Sequence, residues 1–313
     1  MKKLKKILCL LILFMVLKPV FVFAANTYGD FGDIFFFVCP RILEDGYITD
    51  FRLGTRYSEN YAGEIFFRYS KENGNEKFDE SIEDSLISFD EKNHEFFFLP
   101  FERILTSSKT SEFRIGPGIY YNYNTVKEKG YFNMPELALL PVPKEPSNAY
   151  SNDFSMHTLG LLLGTSFFIN LSEFFGIYGN LGVVPIFYFT AKQKMGITPF
   201  IDTLANYSQK GSGYPYFYAD INIVIGYLSL DFLYDFTRLK YKLIDFDDNM
   251  NWHNPSRTIY LNSLKFEAAL LIPTLECSKA KIGFGYSMSS YQLDSDKPVW
   301  KKQYYFVINS SVN

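Results

Sequence analysis

From about residue 25 onward, the chain is built from short runs in which apolar residues recur at every second position, with polar, charged or small residues between them. A period of two is the mark of a β-strand, because successive side chains point to opposite faces. In 48–58, Phe51, Leu53, Thr55 and Tyr57 share one face, while Asp50, Arg52, Gly54 and Arg56 share the other. The next run sets Tyr61, Gly63, Ile65, Phe67 and Tyr69 against Ala62, Glu64, Phe66 and Arg68. In 112–124, Phe113, Ile115, Pro117, Ile119, Tyr121 and Tyr123 oppose Arg114, Gly116, Gly118, Tyr120 and Asn122. Further on, Leu228, Leu230, Phe232, Tyr234 and Phe236 oppose Tyr227, Ser229, Asp231, Leu233 and Asp235. Two late runs follow the same rule, with Lys265 and Glu267 between Leu264, Phe266 and Ala268, and Lys281, Gly283 and Gly285 between Ile282, Phe284 and Tyr286. Each run is about ten residues, the length a tilted strand needs to cross hydrocarbon. One apolar and one polar face per strand predict a barrel wall in lipid, with the charged face turned inward.

The connections sharpen this expectation. Short links fall near 58–60, 102–110, 170–174, 225–227 and 273–279, and longer polar or Pro-rich links near 40–47, 71–93, 125–155, 190–213, 239–258 and 294–299. That alternation predicts an all-β, single closed antiparallel transmembrane barrel of about twelve strands, with short turns at one end and long loops at the other. Ten strands fit the same runs. The segments 28–39 and 94–101 alternate poorly, and Pro117 and Pro185 remove ladder donors inside expected strands. A helical alternative rests on 174–191, which is uncharged and long enough to span a bilayer, but Gly176, Gly179, Asn180, Gly182 and Pro185 make it a poor helix. A half-buried soluble sheet shows the same alternation and is the remaining structural alternative.

Composition adds compartment. The 33 Phe and 24 Tyr sit in short alternating runs, where a soluble β-domain would hide its aromatics in a core, and so suit a wall facing lipid. At the N-terminus four lysines precede the apolar stretch 7–17, and Val22-Phe23-Ala24 supplies small residues for cleavage. Residues 1–24 read as a cleavable signal peptide and 25–313 as one barrel domain. The apolar core is short for an anchor and is followed by Lys18-Pro19, while Leu8 before Cys9 argues against a lipoprotein. Cleavage would remove five lysines and no acid, taking the formal net charge from -3 to -8 and arguing against nucleic acid as a partner. Cys39 and Cys277 are expected at opposite ends of the barrel, as two free thiols.

Leader, alternating strands and loop rhythm together resemble the bacterial outer-membrane β-barrel, porin-like superfamily. The resemblance implies secretion through the inner membrane, location in the bacterial outer membrane, contact with membrane lipid and with the outer-membrane assembly machinery, and no cofactor. Members of the superfamily commonly end on an aromatic residue, whereas here Tyr304, Tyr305 and Phe306 precede a polar tail.

The inward charges carry the functional expectation. Arg52, Arg56, Arg68 and Arg114 come from early strands, and Asp220, Asp231 and Asp235 from strands near the opposite wall, with Lys265 and Glu267 between. As a pore lining they would set up a transverse field and bias the passive diffusion of small hydrophilic solutes. The same charges can pair instead and close the lumen, since a tight turn at Glu59 places Asp50 opposite Arg68, and Lys265 neighbours Glu267. Open pore and packed lumen are equally compatible with the sequence. A packed barrel would serve as a surface-exposed interaction protein or adhesin through its loops.

An enzyme is the third class. Outer-membrane phospholipases place a Ser and a His on the lipid-facing wall, and here Ser155 and His157 share the face of Leu159, Leu161 and Leu163. Two residues along a strand is about 7 Å, too far for direct proton transfer, and the phospholipase dyad runs His before Ser, so no enzymatic activity is expected. In 71–93, Phe78, Ile82, Leu86 and Phe89 stand at helical spacing, compatible with a short amphipathic helix over the mouth or with a solvated loop. The apolar stretch 135–143 fits either a constriction or packing on the rim. Asp245-x-Asp247-x-Asn249 begins like a calcium loop, but Met250 and Ser256 stand where Gly and a bidentate acid are needed. His94, His157 and His253 are dispersed, so no metal is expected.

Overall fold

The computed structural model describes residues 34–76, 86–131, 149–172, 174–198, 201–242, 245–246, 252–253, 256–275, 278–293 and 297–312. The leader 1–24, the stretch 135–143, the positions Phe78, Ile82, Asp247, Asn249 and Met250, and Cys277 lie outside the described residues.

The strands are β1 (Ile34–Leu43), β2 (Gly46–Arg56), β3 (Tyr61–Glu76), β4 (Leu86–Ser107), β5 (Ser111–Tyr131), β6 (Ala149–Ser172), β7 (Phe175–Val184), β8 (Phe187–Thr198), β9 (Ile201–Ile225), β10 (Leu228–Lys242), β11 (Asp245–Phe246), β12 (Trp252–His253), β13 (Ser256–Leu275), β14 (Ser278–Leu293) and β15 (Val299–Val312). Apart from the small β11–β12 ribbon, they form one antiparallel sheet that closes where β15 pairs with β1. The turn-side part of β6 pairs with β7 and its far part with β8, and β9 divides its pairing in the same way. β7 and β8 are therefore one stave interrupted at Pro185, which lacks the amide hydrogen that a continuous ladder requires. The count is twelve staves, which resolves the choice between ten and twelve. Among the described residues the chain has no helix long and apolar enough to cross a membrane, and 174–191, the helical alternative, is strand on both sides of Pro185.

Alternation explains the two faces. Asp50, Arg52, Glu64, Phe66, Arg68, Arg114 and Tyr120 are buried inside, whereas Leu53, Ile119, Leu161, Phe266, Leu270 and Phe284 are exposed outside. Tyr57, Tyr61, Phe101, Phe174 and Tyr227 form an aromatic belt at the short-turn end. Near the other end a ladder of rings crosses neighbouring strands, with centroids 5.6 Å apart for Tyr47–Tyr69, 4.7 Å for Tyr69–His94, 6.0 Å for His94–Tyr123 and 4.3 Å for Tyr123–His157. Tyr61 and Tyr69 on β3 mark the two belts, roughly 20 Å apart across a tilted strand. Between those two rings the outward positions of β3 are Gly63, Ile65 and Phe67, none of them charged. An exposed, uncharged band with aromatic borders is matched to hydrocarbon and its interfaces.

Strand length departs from the expectation. β4, β5, β6 and β9 run for 22, 21, 24 and 25 residues, about twice what one crossing takes. The expected long link at 40–47 is a two-residue turn at Glu44-Asp45, and most of 190–213 is strand. Leu86 and Phe89, two of the four positions that suggested a helix, lie in β4. The polar residues in these stretches read as loop because they lie beyond the lipid, where no apolar face is required, yet their backbone ladder continues. Both described ends of the chain lie on the short-turn side, where Phe36 pairs with Val312.

Candidate functional site

The lumen is the candidate site, and its centre is filled by side chains. Asp50 lies directly across from Arg68 in the β2–β3 ladder, as the tight turn predicts. Arg68 Nε donates to Asp50 at 2.8 Å, and Arg68 Nη1 reaches Glu95 and Asp235, each at 3.4 Å. Arg41 donates to the other oxygen of Asp50 at 2.5 Å and also binds Glu267, whose carboxylate accepts the Tyr305 hydroxyl at 3.0 Å. Nearer the turns, Arg52 pairs with Glu64 at 2.8 Å and with Asp220 at 3.3 Å. Arg56 and Arg114 share Glu112, Arg114 at 2.5 Å. Lys281 pairs with Asp231, which also accepts from Asn222. The Phe66 ring lies between two guanidinium groups, 5.0 Å from Arg52 and 5.2 Å from Arg68, an arrangement that gains cation–π energy where water is excluded.

All nine residues expected to line a pore face the interior, but the arginine and aspartate walls do not stand apart. Arg52 of β2 joins Asp220 of β9, and Arg68 of β3 joins Asp235 of β10, so the expected transverse field is largely neutralised by ion pairs that cross the lumen. Lys265 and Glu267 share a face without pairing. Glu267 is taken by Arg41, and among the described residues no hydrogen bond or ion pair reaches the Lys265 ammonium.

Sequence reasoning missed Arg41, Glu95, Glu102 and Glu112. Arg41 fell in the supposed long link, and Glu112 opened a strand whose partners were unknown. Glu95 and Glu102 flank a bulge: the β3–β4 register shifts between Ala62 and Glu64, so that Glu64 pairs with Leu99 but Ala62 with Glu102. The one extra residue beside Pro100 and Phe101 resets the parity of the strand and turns Glu102 inward, where it is fully buried and accepts from Ser166 Oγ at 2.7 Å. Broken alternation in 94–101 was the only available signal.

The other half of the interior is apolar. Phe97, Leu99, Tyr120, Leu162, Val184, Phe187, Phe189 and Tyr216 form one buried cluster, with Tyr120 stacked on Tyr216 at 4.6 Å and Phe97 tilted against Tyr218 at 4.7 Å. Cys39 is a buried free thiol in a second cluster with Leu43, Ile48, Tyr305 and Val307. Above these layers, toward the long-strand end, a cavity of about 690 Å³ rises from Arg68, Glu95, Asp235 and Lys265 past Asn93, Asn122 and Thr158 to the rim at Tyr291 and Trp300. Lys301 bridges the low rim over β1 and β2, pairing with Glu72 and standing 5.2 Å from the centre of the Phe89 ring.

Ser155 and His157 are each engaged with other neighbours on the outer wall. His157 Nδ1 is 2.8 Å from the Tyr121 hydroxyl, and its ring stacks on Tyr123, so it belongs to the interfacial ladder. Ser155 faces Thr125 and Lys192 in the neighbouring strands, and no hydrogen bond joins it to His157 among the described residues. No group of three or more His, Cys, Asp or Glu residues able to hold a metal occurs among the described residues.

The fold and lumen define a closed membrane-type β-barrel. No protein-family model and no curated protein matches the sequence. Solved structures similar to the chain are outer-membrane β-barrels. They include the translocator domain of autotransporter NalP from Neisseria meningitidis, at 8% identity over 96% of this chain and 92% of that one, with a TM-score of 0.45. The outer membrane protease OmpT from Escherichia coli is 9% identical over 90% and 92%, with a TM-score of 0.35. The CymD monoaromatic hydrocarbon channel is 9% identical over 90% and 88%, also with a TM-score of 0.35. No residue role passes to this chain from likenesses of this size.

Proposed function

We propose that the chain is a bacterial outer-membrane channel protein for small hydrophilic solutes, whose lumen is closed at rest by ion pairs and opens when they part. The observation that carries this reading is the pair of salt bridges across the lumen, Arg52–Asp220 and Arg68–Asp235. Charged groups follow one another along the barrel from Arg56 and Glu112 near the turns to Arg68 and Lys265 beneath the cavity, so parting the bridges would leave a hydrated polar path. The outward apolar band with its two aromatic belts supports a lipid bilayer as the surroundings. Residues 1–24 would act as the cleavable signal that sends 25–313 to the outer-membrane assembly machinery.

Planar-bilayer recording tests the proposal. The unaltered barrel should be silent for most of the record, with brief openings, and Asp220→Asn/Asp235→Asn should raise open time and conductance several-fold. Steady ohmic conductance from the unaltered protein would favour an always-open porin, and a double variant as silent as the parent would refute gating by these pairs. A second reading, a surface interaction protein, is supported by the extension of β4, β5, β6 and β9 well beyond the hydrocarbon. Cell binding that disappears when the far ends of these strands are trimmed, with conductance retained, would favour it.

A further inference from the structure

The floor of the lumenal cavity holds an imbalance that the gating pairs leave unused. Lys265 projects from β13 into the cavity and is 91% buried, at 9% relative exposure. No hydrogen bond or ion pair reaches its ammonium group from the described residues, although Arg41, Arg52, Arg56, Arg68, Arg114 and Lys281 are all paired in the same lumen. The Lys265 stem is buried while its ammonium opens on the cavity, where an acceptor arriving from outside can take its hydrogens.

The same floor carries carboxylates with spare capacity. Glu95 has one polar partner among the described residues, Arg68 at 3.4 Å, and Asp235 has Arg68 at 3.4 Å and the Tyr216 hydroxyl at 3.0 Å. A carboxylate offers about four acceptor positions, so both acids retain sites for a further donor. A lysine that holds no hydrogen bond or ion pair among the described residues, standing beside two carboxylates with free acceptor positions, is complementary to a ligand that carries both signs of charge. An inorganic anion would satisfy Lys265 but be repelled by Glu95 and Asp235, whereas a neutral sugar would leave the lysine charge uncompensated.

We propose that this cavity is a binding site for zwitterionic solutes, free amino acids or short peptides, with the ligand carboxylate on Lys265 and its ammonium on Glu95 and Asp235. This names the solute class for the channel reading and rests on it, the cavity lying above the closed layer of ion pairs and opening toward the long-strand end. A volume of about 690 Å³ lies within the roughly 300–1,000 Å³ usual for small-molecule sites. Asn93, Asn122 and Thr158 on the wall can serve a peptide amide, and Trp300 at the rim offers an optical reporter.

The test is calorimetric titration of the detergent-solubilised barrel with alanylalanine, N-acetylalanine, sucrose and inorganic phosphate, a measurement that does not depend on conductance. Alanylalanine should bind saturably, N-acetylalanine more weakly, and sucrose and phosphate not at all. Lys265→Met should weaken alanylalanine binding roughly ten- to a hundredfold, the worth of a charge-assisted hydrogen bond. Because Lys265 gives up no hydrogen bond or ion pair among the described residues, and Arg68 still pairs with Asp50, Glu95 and Asp235, the variant should keep the heat-modifiable gel migration and nearly the thermal stability of the parent; Lys265→Gln serves if Met does not fold. Failure of alanylalanine to bind, tighter binding of phosphate or sucrose, or a variant that loses stability but keeps binding would each overturn the assignment. A barrel that binds alanylalanine yet never conducts would refute the channel reading alone.

Discussion

Arg68 reaches three carboxylates from different strands, and replacing it by Met tests whether the ion pairs hold the barrel closed as a network. Its three acidic partners are not left equally exposed by the change. Asp50 keeps Arg41 at 2.5 Å, and Asp235 keeps the Tyr216 hydroxyl at 3.0 Å, but Glu95 loses its one hydrogen-bonded partner among the described residues and keeps only the Lys265 charge across the cavity floor. Removing one member of a buried pair costs about 3–5 kcal/mol, because the remaining charge is desolvated without compensation. Arg68→Met should therefore lower the unfolding free energy by roughly 4 kcal/mol, most of it owed to Glu95. Glu95→Gln alone leaves Arg68 with Asp50 and Asp235, and should cost about 1 kcal/mol, one net hydrogen bond. If the reasoning holds, the double variant loses only about 2–3 kcal/mol, a coupling of roughly 2 kcal/mol within the range for residues in contact. Urea unfolding in lipid vesicles, followed by tryptophan fluorescence, measures all three. The deficit of Arg68→Met should also shrink on acidification, since the stranded carboxylate is charged at high pH and becomes neutral as the pH falls. Additive losses, or an Arg68→Met cost below about 1 kcal/mol, would refute the idea that Glu95 depends on Arg68.

Three further outcomes follow from particular contacts. Leu161→Arg, on a wall position 75% exposed, should destabilise the barrel by about 2–4 kcal/mol in a bilayer; a change within about 0.5 kcal/mol, as at a water-facing position, would argue against lipid there. At Gly285 an added Cβ would stand 2.2 Å from the Tyr305 ring, so Gly285→Ala should displace the ring, weaken its hydrogen bond to Glu267 and cost about 1–3 kcal/mol by urea unfolding. Mass mapping with a thiol-reactive maleimide should leave Cys39 unlabelled in the folded barrel and label it after denaturation; rapid native labelling would contradict its burial at 1% exposure.

Much of the wall was legible before the fold was seen, because each strand states its own two faces. The inward set Asp50, Arg52, Glu64, Phe66 and Arg68 and the outward set Leu53, Ile65 and Phe67 follow from a period of two, a local property of the chain. The opposition of Asp50 and Arg68 was legible for the same reason, since a tight turn sets the register of the strands on either side. Where the local rule is broken, legibility ends. The bulge beside Pro100 reverses the parity of β4 and hides Glu102, and polar strand ends beyond the lipid look like loops although they continue the ladder.

The apolar exterior of the wall, its charged interior and its approximate strand number are all written in the order of residues along the chain. It took closure of the barrel to bring Arg52 to Asp220 and Arg68 to Asp235, to fill one side of the lumen with an aromatic cluster, and to leave Lys265 with no hydrogen bond or ion pair among the described residues. The physical reason is separation along the chain. These contacts join residues as much as 168 positions apart, and they depend on closure of the barrel and on strand stagger, which no local period encodes.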